Sequence, residues 1–97
     1  MDASTVNSAI VTAIGDSAIP GVDEQRLVDE YGPEEGSQLA SVVRDLVQEA
    51  VAMPIVWGDK SLKDGVLEIL SSFKELHPEL SSEALHEIGR CVGWNWR

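Results

Sequence analysis

The sequence predicts an all-α fold: one single-domain helical bundle over residues 1–97, with four main helices and one short helix. Three observations carry this expectation. Apolar residues recur at the three-and-four spacing of a helix face in five separate stretches. Capping residues precede most of these stretches, and glycine or proline follows most of them. The connections are short, with no internal repeat, low-complexity tract or linker, which suits an up-and-down arrangement.

The first stretch, residues 3–18, places Val6, Ala9, Ile10, Ala13 and Ile14 on one face. Asp2 or Ser4 can accept from its free amides, and Ile19-Pro20-Gly21 stops it. Its β-branched residues make a strand the local alternative; the spacing favours a helix. The second stretch, 22–31, is short, capped by Asp23 or a neighbour and ended by Gly32. Leu27, Val28 and Tyr31 give it a narrow apolar stripe, so it is expected to be weakly held. Pro33 opens the third, 33–52, where its missing donor costs nothing. Glu34 and Glu35 follow beside the positive end of the macrodipole.

This third stretch has the cleanest apolar face, Leu39, Val42, Val43, Leu46, Val47, Ala50 and Val51, and Pro54 forces its end. Ile55-Val56-Trp57 reads as an extended apolar run before a Gly58-Asp59 turn. Ser61 with Asp64 resembles a capping box for the fourth stretch, 61–76, which His77-Pro78 ends. Ser81 or Ser82 caps the fifth, 81–93. The expected core is Ile10, Ile14, Val43, Leu46, Val47, Val66, Ile69, Leu70, Phe73, Leu85 and Ile88. It is mostly aliphatic, because three of the five aromatic residues are Trp57, Trp94 and Trp96. A compact chain of this length has a radius of gyration of about 13 Å.

Seventeen acids against seven bases give a net charge of −10. Residues 16–49 hold nine acids and two bases, whereas residues 50–97 hold seven and five. Such a surface repels phosphate backbones and anionic lipid and attracts basic proteins, although acidity also serves solubility alone. The expected partner is therefore a protein, and a basic one, with no direct nucleic-acid contact and no membrane. Cys91 stands alone, which excludes an internal disulfide and a multi-cysteine zinc site. With Asp2 where a signal peptide carries a base, the expected location is cytoplasmic.

The catalytic inventory is thin, and no enzyme activity is expected. His77, before a proline at a helix end, reads as a capping cation. His86 reads as the polar edge of the last helix. It lies five residues from Cys91, about 140° round a helix, which is wrong for a nucleophile and its base. Asp59, Ser61, Lys63 and Asp64 superficially suggest a calcium loop, but a lysine takes the place of an oxygen ligand. Gly58-Asp59-Lys60-Ser61 lacks the glycine and strand context of a phosphate loop. No cofactor is implied. Glu79, Glu83 and Glu87, spaced by four, form a stripe that is either simply solvated or a contact for a basic partner, and solvation is the plainer reading.

Two features stand out as binding candidates. Asp23, Glu24, Asp29, Glu30, Glu34 and Glu35 accompany Arg26 alone, with Tyr31 the nearest aromatic anchor. Trp94 and Trp96 end the chain in Gly93-Trp94-Asn95-Trp96-Arg97. An extended tail would put both indoles on one side as exposed anchors. A tail folded back, with Trp57, would instead close the base of the bundle. Gly89 and Gly93 form a small stripe that allows close helix approach, within the bundle or between two copies.

In size, acidity and helical character the chain resembles bacterial immunity proteins and other small acidic inhibitors that neutralise basic nuclease toxins. The likeness is one of character and is carried by no motif. It implies a non-catalytic protein-binding module with a basic partner. The alternative is a structural or self-associating helical protein, such as a homodimer or an assembly component.

Overall fold

A computed structural model describes residues 2–15, 18, 20–54 and 58–96. Five helices follow in order: α1 (Ala3–Ile14), α2 (Glu24–Tyr31), α3 (Pro33–Val51), α4 (Leu62–Leu76) and α5 (Ser82–Trp96). No strand occurs among the described residues. The Cα radius of gyration is 13.3 Å. The fold is the expected all-α bundle.

Local chemistry explains the helix starts. Asp2 accepts from the Thr5 amide at 2.8 Å and Asp23 from that of Gln25 at 3.1 Å. Ser61 Oγ accepts from the Asp64 amide at 3.2 Å and Ser81 Oγ from that of Ala84 at 3.1 Å. Each bond satisfies a backbone donor that the helix itself cannot. Pro33 occupies the first turn of α3 after Gly32, whose φ of 91° is a conformation that favours glycine.

α5 is the organising element. It packs against α1, α3 and α4, while α4 rests mainly on α5 and touches α3 only slightly. Ile10, Ile14, Leu27, Leu39, Val43, Phe73, Ile88 and Val92 are the largest fully buried side chains. Ile69 completes the part of the expected core that is buried, but Leu46, Val47, Val66, Leu70 and Leu85 are only partly buried. In α3 the buried residues are Gly36, Leu39, Ala40, Val43 and Ala50; Leu46 and Val47 lie on the same face and are only partly covered, where α4 touches α3 slightly.

Three further expectations are corrected. α1 ends at Ile14, not at 18. Arg26 Nη1 donates to the Gly15 carbonyl, and Arg90 Nη1 to that of Ile14 at 3.5 Å. Two guanidinium groups therefore face the negative end of the α1 macrodipole. α2 is not weakly held, because Gly36 lets it lie directly on α3. A Cβ at position 36 would stand 2.6 Å from Leu27 O and from Val28 Cα and N. Finally, α5 continues to Trp96 in place of an extended or folded-back tail, since nothing in Gly93-Trp94-Asn95-Trp96 prevents a helix. The run at residues 55–57 lies outside the described residues, and with it the Trp57 contribution.

Candidate functional site

The six acids at 23–35 divide into two groups. Asp23 caps α2 and pairs with Arg26 Nε at 3.5 Å. Glu24 reaches across to Arg44 of α3 at 3.0 Å. Asp29 accepts from Gln25 Nε2 at 2.8 Å. These three carboxylates serve the local structure. The side chains of Glu30, Glu34 and Glu35 are exposed and make no ion pair or hydrogen bond to other described residues. They gather where α2 turns through Gly32 into α3, so the turn itself concentrates unneutralised charge.

Beside this corner lies a groove of about 690 Å³ between α1, the end of α2 and the start of α5. One wall is the Ser4, Ser8, Val11 and Thr12 face of α1, opposite the buried Ile10 and Ile14. The facing side carries Glu30 and the half-buried Tyr31 from α2, with Ser81 and Glu83 at the start of α5. No lysine, arginine or histidine lines it among the described residues. The structure thus brings Glu30 and Tyr31 together with Glu83, which the sequence places in a separate acidic stripe. The four-residue recurrence of Ser4, Ser8 and Thr12 was the available signal for the α1 wall.

The carboxylate stripe itself does not exist. Glu79 lies in the α4–α5 connection and approaches His77 Nδ1 at 3.5 Å. Glu87 is only 9% exposed and pairs with Arg90 at 3.3 Å. A buried carboxylate needs such a partner. His77 closes the C-terminal end of α4, with Nε2 against Glu49 of α3 and its ring on Phe73 at 4.6 Å between centroids.

Trp94 and Trp96 are each 38% exposed. Two positions on a helix are about 200° apart, so the indoles leave α5 on different sides and cannot form one aromatic patch. Gly89 and Gly93 face α4. A Cβ at 89 would stand 2.8 Å from Leu70 Cδ1, and one at 93 would stand 3.8 Å from Val66 Cγ2. The small stripe therefore serves the α4–α5 contact inside the chain. Over that contact runs a second groove of about 440 Å³, lined by Val66, Leu67 and Leu70 and edged by Leu62.

Cys91 is buried, and burial pushes its thiol up to about 11, away from the thiolate a nucleophile requires. His86 is exposed on the same helix. Among the described residues no three His, Cys, Asp or Glu side chains are grouped to hold a metal ion. No described helix is long and apolar enough to cross a membrane. Comparison of the chain with known protein families, curated proteins and solved structures gives no match.

Proposed function

We propose that this chain is a non-catalytic protein-binding module, an acidic inhibitor of the immunity type, that docks a basic partner protein in the cytoplasm. One observation supports it above the others. Glu30, Glu34 and Glu35 stand exposed and unneutralised at the α2–α3 corner, while the neighbouring Asp23, Glu24 and Asp29 have local partners. Charge held this way attracts a basic surface and accelerates encounter, an effect that salt screens. Tyr31, half-buried at the edge of the same corner, supplies an aromatic anchor of the kind that governs dissociation.

The test is a pull-down from the source cells followed by association kinetics over a salt series. Wild type and a Glu30→Lys/Glu34→Lys double variant are compared. The expected result is slower association at high salt and in the double variant, with the fold intact. A partner that associates equally fast in every condition would reduce the acidity to a solubility device.

The second reading is self-association, and the apolar α4–α5 groove favours it. Leu67, 54% exposed, and Leu62, 37% exposed, stand together along this groove, so an apolar pair is open to a second copy there. Sedimentation of the wild type and of Leu67→Glu decides it: a dimer dispersed by the substitution supports this reading over the first.

A further inference from the structure

We propose that the groove between α1, α2 and α5 seats a cationic side chain, an arginine or lysine carried on a basic segment of the partner protein. This rests on the docking surface proposed above and gives that surface a specific seat. Glu30 and Glu83 enter the groove from different helices, and neither has a counter-ion among the described residues. By contrast, Asp23, Glu24, Glu49, Glu68, Glu79 and Glu87 all lie within ion-pair distance of a basic group. The two carboxylates facing the groove are thus among those left unneutralised.

The rest of the lining narrows the ligand class. An anion meets two carboxylates and no cation, so it is repelled. An apolar ligand finds Val11, the Tyr31 ring and the carbon atoms of the serine and threonine side chains, but would leave both carboxylates unpaired. A guanidinium presents five donors in a fixed fork, and this lining is rich in acceptors: two carboxylates and the hydroxyls of Ser4, Ser8 and Thr12. The Tyr31 ring adds a surface on which a cation stacks favourably. A volume of about 690 Å³ exceeds one side chain and admits its flanking backbone as well, which points to a peptide segment over a free small cation.

The seat is also fixed before binding. Asn7, on the α1 wall, holds the chain just ahead of α5 through Ser81 N at 2.9 Å and Glu79 O at 3.0 Å. Glu83 therefore keeps its place opposite α1, and little ordering remains to be done when the cation arrives.

The experiment is an NMR amide titration at low salt with a capped pentapeptide of one central arginine between glycines. The same peptide with citrulline is the neutral isostere. The expected result is saturable shifts confined to Ser8 through Thr12, Glu30, Tyr31 and Ser81 through Glu83, absent with citrulline. A Glu30→Gln/Glu83→Gln double variant should weaken binding by about tenfold or more. Both side chains are exposed, so retained dispersion of the amide spectrum verifies the fold. Equal shifts with citrulline, or unchanged affinity in the double variant, overturn the seat. If the saturable shifts centre on Glu34 and Glu35 instead, the seat falls and the acidic-corner reading stands. If no saturable shift occurs and the partner kinetics are also indifferent to Glu30→Lys/Glu34→Lys, both fall.

Discussion

Asn7 of α1 and Ser81, the residue just before α5, are joined by a 2.9 Å hydrogen bond from the Ser81 amide to Asn7 Oδ1. The same side chain donates through Nδ2 to Glu79 O at 3.0 Å. One amide thus behaves like a peptide unit, satisfying a donor and an acceptor of the α4–α5 connection at once. Asn7→Ala removes both bonds, and at about 0.5–1.5 kcal/mol each the expected loss is about 1–3 kcal/mol. Urea unfolding measures it. A loss within the error of the midpoint would mean that water replaces the clasp at no cost.

Gly36 gives the sharpest steric prediction. Alanine is the better helix former by about 1 kcal/mol, yet its Cβ would meet α2 backbone atoms at 2.6 Å, and backbone cannot rotate away. Gly36→Ala should therefore destabilise by about 1–3 kcal/mol, as overpacking does. Gly21 is the control, with open space around its added Cβ. Gly21→Ala should leave stability unchanged or raise it by up to about 1 kcal/mol, by restricting the unfolded chain. Paired thermal melts distinguish the two.

Cys91 sets an alkaline limit. Burial raises its thiol from 9.0 to about 11 in the folded chain, so above the unfolded value the unfolded state releases its proton more readily. The stability that goes with the protonated thiol is complete below pH 9.0 and is lost as pH rises toward about 11. Cys91→Ala should remove this alkaline slope while costing some packing at every pH. Alkylation by iodoacetamide at mildly alkaline pH should be slow in native protein and fast in urea. Equal rates would place the thiol at the surface.

Features set by neighbours in sequence were legible in it; those set by distant neighbours were not. Asp2, Asp23, Ser61 and Ser81 could be read as caps because each bonds an amide two or three residues along. Pro33 acts just as locally. Glu87 could not be read as buried, since its surroundings include the α1 terminus and Arg90 as well as its own turn. Gly36 gave no sign of its role, because the close approach exists only once α2 is folded onto α3. The candidate site divides the same way. Glu30 and Tyr31 were named from charge and aromaticity, but Glu83 and the serine face of α1 join them only through tertiary packing.

The pairing of α1 with α5 governs when the protein can fold during its own synthesis. Ile10 and Ile14 leave the ribosome before α5, the fifth described helix, against which α1 packs. Until residues 82–96 are released, α1 can be covered only by α2 and α3, and the part of its aliphatic face that meets α5 stays open. A topology that packs the first helix on the fifth puts those particular contacts beyond the reach of local nucleation. Closure of the bundle is thereby postponed until α5 has been released, and chaperones are useful to the preceding helices while α5 is still being made.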